Sequence, residues 1–424
     1  MASILLVAMG SHGDINPLIG LGIALRDRGH SATLIASEHF EPNARAAGLE
    51  FARATTEQEF LEFQEFQELI TRPNILYRGK GIEMGLRYGL GFMRESYRRI
   101  EELHSPGATV VVGLRWVCSI ILAQEKLAIP AVTLALNPIV FRSVYSPAKL
   151  PGLSLPEWTS PRAADVVYRL IDLLWDQYLN RTANALRAEL GLAKVKSAVH
   201  WVRSATRHII GLWPEWFYGP QPDWPPGAAL TNFIDYDGVG SDQETATALS
   251  LVRNERPIVF TAGSAMVNQD DFFAAAADSC RLLNRSGILL TPYTEQLPRQ
   301  LPPKVKHLAY VPLGKLLPSA AAIVHHGGIG TAARALKAGV PQLIMPWGWD
   351  QFDNAYRLEK LGVAKSIARR KFKAARIAPL LNELLDSKTI AERCRDCSER
   401  LSETDGLART CELVESVLER SAAA

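Results

Sequence analysis

From residue 320 to residue 354 the chain reads AAAIVHHGGIGTAARALKAGVPQLIMPWGWDQFDN. A continuous apolar run at 321–325 breaks at Gly327, Gly328 and Gly330 into an alanine-rich helix pattern. Gly339 closes that pattern, and a second apolar run starts at Gln342. A buried strand that turns through glycines into a helix, and then into another buried strand, belongs to a parallel α/β sheet. The first N–H groups of such a helix have no intrahelical partner and carry the positive end of its dipole, so the turn suits a phosphate or diphosphate. His325 and His326 stand just before the turn, and Asp350, Gln351 and Asn354 follow the next strand, where they can hold what the phosphate carries.

The same alternation runs through the chain. Residues 3–36 read as strand, Gly-Ser-His-Gly-Asp loop, helix and strand, with Pro17 suited to the helix's first turn. Further strand patterns lie at 109–113, 131–136, 208–212 and 229–232. From residue 258 six more follow, at 258–261, 288–291, 305–311, 321–325, 342–345 and 363–367. At 424 residues the chain has room for two full cores. The proline-rich stretch 214–226 leads to a linker around 235–242 and divides the chain into domains 1–237 and 238–424. The expected class is α/β, with two doubly wound Rossmann-like domains. Asp235-Tyr236-Asp237 matches a D-x-D metal–nucleotide motif, but beside Gly238 it reads as turn chemistry.

Charge and composition narrow the partners. A net charge of +3 argues against nucleic acid, and the absence of a run of eighteen apolar residues argues against a transmembrane helix. The N-terminal strand has no basic leader, so a cytoplasmic protein is expected. Cys394 and Cys397 form one isolated C-x-x-C, read as helix-surface thiols rather than a zinc or redox site. The basic run 369–373 reads as a solvated loop, compatible with weak contact with an anionic membrane at the inner face. Phe60, Phe63, Phe66 and Leu69 recur at helical spacing, as core packing or as the wall of an acceptor pocket. Six of the nine tryptophans fall between Trp158 and Trp224, which suits an apolar cleft lining, a core or an interface.

Three readings compete for the glycine turn. One is a structural turn with core histidines. Another is a dinucleotide fingerprint, since Gly328-Ile329-Gly330-Thr331-Ala332-Ala333 fits G-x-G-x-x-A and Asp350 lies about twenty residues on, which would make the chain an NAD(P)-dependent oxidoreductase. The third is a nucleotide-sugar site. His326-x-Gly328-x-x-Thr331, Gly339-Val340-Pro341, Pro346 and Asp350-Gln351-x-x-Asn354 together resemble the donor signature of the family 1 glycosyltransferases. Residues 10–24, PEWFYGPQPDW at 214–224, AYVPLGKLLPS at 309–319 and DQFDNA at 350–355 resemble the catalytic subunit of the bacterial rhamnosyltransferases of the rhamnolipid type. Sterol and macrolide glycosyltransferases look similar more distantly.

The resemblance implies the GT-B architecture, with a cleft between an N-terminal acceptor domain and a C-terminal donor domain. It also implies inverting, metal-independent transfer with no cofactor beyond the nucleotide sugar. Carried over by position, the donor-binding residues are Gly263, Ser264, Tyr310, Val311, Leu313, His326, Gly328, Gly330, Thr331, Asp350 and Gln351. Tyr310 would stack on the base, and Leu313 replaces a glutamine of the plant enzymes, which suits the thymine methyl of a dTDP donor. Asp14 stands where plant relatives carry the histidine base, and His12, two residues away, has the apter pKa. For Asp14 the alternative role is capping the first helix. Phe60, Phe63, Trp116 and Trp175 are the expected acceptor contacts. The expected reaction moves L-rhamnose from dTDP-L-rhamnose to the hydroxyl of a lipid such as a hydroxyalkanoyloxyalkanoate. UDP-glucose-dependent transfer to a sterol, polyphenol or macrolide is the runner-up, and a non-catalytic nucleotide-sugar binder stands outside the class.

Overall fold

The chain's computed structural model describes residues 1–71, 75–205, 207–238, 245–246, 248–250, 255–263 and 269–422. Two compact units emerge. The first comprises Met1–Ala148, Leu155–Tyr236 and Asp405–Ala424, and the second Lys149–Ser154 and Asp237–Thr404.

The first unit is built on a seven-stranded, wholly parallel sheet of order β3-β2-β1-β4-β5-β6-β7. Its strands are β1 (Ser3–Val7), β2 (Ser31–Ser37), β3 (Glu50–Thr55), β4 (Thr109–Leu114), β5 (Ala131–Ala135), β6 (His208–Gly211) and β7 (Ala229–Leu230). β1 and β4 sit mid-sheet and are almost wholly buried, which explains their unbroken apolar runs. β3, the strand that the sequence patterns miss, is an edge strand whose Glu50 and Arg53 interrupt any apolar run. Helix α1 (His12–Asp27) crosses from β1 to β2. It starts five residues before Pro17, because a Ser11–Asp14 capping box nucleates it there, so Pro17 lies inside the helix rather than in its first turn.

The short helix α2 (Glu41–Ala46) precedes β3, and α3 (Glu57–Thr71) and α4 (Ile75–Leu103) join β3 to β4. Helix α5 (Cys118–Leu127) joins β4 to β5, and α6 (Pro161–Glu189) and α7 (Ala198–Ser204) lie between β5 and β6. The tryptophan-rich stretch divides. Trp201 and Trp213 are buried, with Trp213 and Trp224 edge-on to each other and to Phe141, whereas Trp158 and Trp175 are exposed.

The second unit repeats the plan. Six parallel strands take the order β10-β9-β8-β11-β12-β13. They are β8 (Ile258–Thr261), β9 (Gly287–Leu290), β10 (Val305–Leu308), β11 (Ala322–His325), β12 (Gln342–Ile344) and β13 (Ala364–Ser366). β10 ends before Tyr310 and Val311, which belong to the loop that Pro312 turns into a short helix, Leu313–Leu316. Cys394 and Cys397 lie on the helix Lys388–Ser402 but are buried, and burial holds their thiols protonated, with pKa values pushed up to about 12 and about 11. The basic run is less solvated than its composition suggests: Arg369 lies over the Trp347 ring at 3.7 Å and Phe372 stacks on Phe272. The terminal helix Gly406–Ala422 belongs to the first unit rather than to the second half that precedes it, for Cys411, Val414 and Val417 are buried there and Glu415 pairs with Arg28 and His30. Among the described residues no helix is long and apolar enough to cross a membrane.

Candidate active site

Numbered from its first strand, each sheet has the order 3-2-1-4-5-6, with a seventh strand added at the end of the first, and the strand order reverses between the first and fourth strands. Loops leaving the carboxyl ends of those two strands diverge, so a crevice forms beside them where ligands bind. In the second unit these strands are β8 and β11, paired with Thr261 opposite His325. Gly263 and His326, far apart in sequence, therefore meet.

Gly263 has φ of +98° and leaves no room for a side chain: a Cβ there would lie 2.6 Å from His326 Cε1 and 2.9 Å from Nδ1. A Cβ on Gly328 would likewise strike the same ring, 2.4 Å from Nε2. The two glycines thus form a slot for the His326 imidazole. Burial pushes its pKa down to about 4, so it is neutral at pH 7, and its Nδ1 is enclosed without a hydrogen-bond partner among the described residues. The helix Ile329–Lys337 starts at Gly328, and no side chain caps it. Its first N–H groups, those of Ile329, Gly330 and Thr331, precede the first intrahelical bond, Ala332 N–H to the Gly328 carbonyl. A neutral histidine and an uncapped helix N-terminus side by side make a cradle for an anion.

Two residues of the motif, expected to reach toward the ligand, instead hold this loop. His325 is fully buried; its Nδ1 accepts from Gly327 N–H at 3.1 Å, so Nε2 carries the proton and donates to Gln342 Oε1 at 2.9 Å. Burial, and then His326, push its pKa down to about 3. Asn354 Nδ2 donates both to the Gly327 carbonyl, at 2.9 Å, and to Asp350 Oδ2, at 2.7 Å. Their signal was present in the sequence, as the first histidine of the pair and the terminal Asn354 of the motif, but both act through backbone and neighbour rather than outward.

Asp350 lies at the start of the helix Gln351–Leu361, after β12. Burial raises its pKa to about 6, although the Asn354 hydrogen bond works against that shift. Gln351 is buried, with Oε1 accepting from Trp347 N–H at 2.7 Å and Gly348 N–H at 3.2 Å, so its amide N–H₂ is the end left to face a ligand. Tyr310 is exposed and its hydroxyl donates to the Asp237 carbonyl. Val311 is core, and Leu313 packs against Leu316 and Leu317. Ser264 and the linker residues 239–242 lie outside the described residues. The Asp237 carboxylate is taken up by Gly314 N–H, at 2.5 Å, and by Arg334, whose Nη1 also donates to the Gly330 carbonyl. The Asp237 carboxylate therefore makes long-range contacts rather than the local turn contact expected of it. Among the described residues no cluster of three or more histidine, cysteine or acidic side chains could hold a metal ion.

In the first unit the equivalent loop follows β1. Ser11 N–H donates to Asp14 Oδ2 at 2.8 Å, and Ser11 Oγ–H donates to the same oxygen at 3.2 Å. Gly10, with φ of +140°, lacks the Cβ that would collide with that carboxylate. Asp14 is thus the third helical residue of the capping box, and Ser11 rather than Asp14 is the N-cap. His12 turns elsewhere, edge-on to Phe40 at 5.0 Å and to His39 at 5.7 Å. Burial, and then His39, hold its pKa below the usual histidine value. Phe60 and Phe63 are buried rather than open: Phe60 stacks under His39 at 4.2 Å and Phe63 on Tyr88 at 4.8 Å. Trp116 follows β4, the strand beside β1, and is half-buried, whereas Trp175 stands exposed on α6.

Known proteins share this pattern. The glycosyltransferase family 28 N-terminal domain matches residues 4–145, and the erythromycin biosynthesis protein CIII-like C-terminal domain matches residues 288–414. O-mycaminosyltylonolide 6-deoxyallosyltransferase of Streptomyces fradiae is 26% identical, over 97% of this chain and 96% of its own length. Sterol 3-beta-glucosyltransferase of Pichia angusta is 25% identical over 98% of this chain, which spans only 33% of that longer protein. Two solved structures share the fold throughout: spinosyn rhamnosyltransferase SpnG, with TM-score 0.66, 18% identity and coverage of 98% of this chain and 100% of that one, and glycosyltransferase VinC in complex with dTDP, with TM-score 0.65, 20% identity and coverage of 99% and 100%. Both halves point the same way: each matches a domain of known glycosyltransferases or their biosynthetic relatives, and the fold is that of the GT-B glycosyltransferases.

Proposed function

We propose that the protein is an inverting, metal-independent glycosyltransferase that moves L-rhamnose from dTDP-L-rhamnose onto the hydroxyl of an apolar acceptor such as a hydroxyalkanoyloxyalkanoate. The observation that carries the donor side is the His326 ring, slotted between Gly263 and Gly328 beside an uncapped helix N-terminus, with its Nδ1 unpartnered. In the reaction, Asp14 takes the acceptor hydroxyl proton. The freed oxygen forms a bond to the anomeric carbon as that carbon's bond to the diphosphate breaks. The electron pair leaves with dTDP, whose growing charge is met by His326 and the N–H groups of Gly330 and Thr331. Asp350 and the Gln351 amide take the sugar hydroxyls, and Tyr310 and Leu313 face the thymidine, whereas Val311, expected among the donor contacts, is buried in the core behind them. Units one and two supply the acceptor and donor sites respectively, Trp116 and Trp175 give apolar contacts to the acceptor, and Phe60 and Phe63 back the wall behind His12.

The deoxyhexose donor is supported by the 6-deoxyallosyl- and rhamnosyltransferases and by the dTDP complex among the relatives. The sterol glucosyltransferases support the runner-up, a UDP-glucose donor. Placement weakens the oxidoreductase reading, because the G-x-G-x-x-A turn follows the fourth rather than the first strand of its sheet. A thermal-shift panel of dTDP, UDP, NAD and NADP tests the donor, since a ligand of the native state raises its apparent stability. dTDP is expected to give the largest shift, and transfer from dTDP-L-rhamnose to persist in excess EDTA. A shift with NADP alone, or loss of transfer on chelation with recovery on added Mg²⁺, would refute the reading.

A further inference from the structure

Where β4 and β5 end, three arginines of the first unit gather. Arg115 is the first residue after β4, Arg142 follows the turn Pro138–Phe141 beyond β5, and Arg203 lies in the last turn of α7. Arg115 Nη2 donates to the Arg203 carbonyl at 2.7 Å, and its guanidinium faces the Phe141 ring at 5.7 Å. Helix α6 turns Tyr168 and Asp172 inward upon them. The acids nearby are already engaged. Asp172 takes Arg142 at 2.5 Å and touches Arg203 only at 3.8 Å. Asp223 accepts from Ser143 Oγ–H at 2.6 Å and Val144 N–H at 2.7 Å, and Asp165 pairs with Arg169 at 2.8 Å. Arg115 has no acid at all. It is 3% exposed, and its Nε and Nη1 have no partner among the described residues. Burial, and then Arg203, push its pKa down to about 10, so it stays charged at pH 7. Four guanidinium groups thus share three carboxylates, and the cluster is one anion short. A buried cation in that state is costly unless an anion comes to it.

We propose that this cluster binds the carboxylate of the acceptor, so that the enzyme selects apolar acceptors carrying a free acid; the inference rests on the transfer reaction proposed above. Arg142, Val144, Asp165, Tyr168, Arg203 and Asp223 line a cavity of about 200 Å³. Arg203 is the open group there. Its side chain is 39% exposed, and its guanidinium makes no hydrogen bond among the described residues. Arg203 therefore supplies the N–H donors, and the buried Arg115 behind it supplies the uncompensated charge. A carboxylate brings the single negative charge that is missing, whereas a phosphate monoester brings close to two. The position suits an acceptor. β4 pairs with β1, with Gly113 opposite Val7, so Arg115 comes level with Met9, beside the loop that carries Asp14. One acceptor can then offer its hydroxyl to Asp14 and its carboxylate to the arginines.

Calorimetric titration of the full chain without donor tests this, with hydroxydecanoyloxydecanoate as the free acid and as its methyl ester. The acid is expected to bind about tenfold or more tightly than the ester. Arg203→Gln should remove that preference while leaving ester binding unchanged. Arg115→Met should do the same. Because it also removes an unpaired buried charge, the ligand-free variant should unfold at the same temperature as the wild type or a higher one. Equal binding of acid and ester by the wild type overturns the proposal, as does a preference that survives either substitution. An Arg115→Met chain that unfolds earlier and loses acid and ester alike overturns it too, by making the guanidinium a brace for the Arg203 carbonyl. Absence of transfer from dTDP-L-rhamnose, with the acid preference intact, would refute the donor assignment and leave the carboxylate site standing.

Discussion

At the scale of single residues, Asp14 and His12 divide two jobs that sequence spacing alone leaves entangled. The Asp14 carboxylate is held from behind by the Ser11 N–H and hydroxyl, while His12 is turned into a cluster with His39 and Phe40. With Asp14 as base, Asp14→Asn should lower single-turnover transfer by about 10²- to 10⁴-fold and leave dTDP affinity unchanged. The capping role alone predicts otherwise, since an asparagine oxygen can still accept from Ser11 and both rate and stability should survive. His12→Ala is the matched control, expected to keep most of the rate. The opposite pattern would transfer the base role two residues upstream.

At the scale of elements, the donor loop is a slot whose walls come from β8 and β11. Gly263→Ala places a Cβ 2.6 Å from the His326 ring at a backbone angle that alanine adopts only under strain. It should weaken dTDP binding by about tenfold or more, roughly 1.4 kcal/mol. His326→Ala should lower the transfer rate by about 10²-fold. Because the clash needs both side chains while the backbone strain does not, the double variant should lose less dTDP affinity than the sum of the two single losses; fully additive losses would show that the slot is not what joins them.

The same loop sets a pH dependence of stability. His325 and His326 have folded pKa values depressed to about 3 and about 4, so the stability they contribute is present above the ordinary histidine range near 6.5 and is lost as pH falls toward 4. Asp350, raised to about 6, acts in the other sense, its contribution being full at low pH and lost as pH rises through 6. Between pH 6.5 and 4.5 the histidines outnumber it. Urea denaturation should therefore show stability falling with acidification, less steeply in His326→Ala and more steeply in Asp350→Asn; the reverse order would contradict the assigned burial.

At the scale of the whole molecule, the last twenty residues fold back onto the first unit. Removing residues 405–424 exposes the surface that Cys411, Val414 and Val417 cover and leaves Arg28 and His30 without Glu415. At about 1.5–3 kcal/mol for each buried side chain, the loss should amount to several kcal/mol. Tryptophan fluorescence, with seven of the nine tryptophans in that unit, should report earlier thermal unfolding while dTDP binding survives. Unchanged fluorescence with lost dTDP binding would assign the helix to the second half instead.

Local pattern determined much of this protein. Nearly every strand was visible as an apolar run, because strands buried on both faces need no alternation, and the glycine turn marked where the helix Ile329–Lys337 begins. Edge strand β3 escaped, since an edge tolerates the charges that hide it. Pairing across distance was decided only in three dimensions. Nothing near Gly263 in sequence says that His326 will fill its missing side chain, and nothing in the spacing of α6 says which face turns inward. The C-terminal helix joined the first unit for the same reason: its apolar stripe specifies that something must cover it, and only the tertiary fold supplies what does.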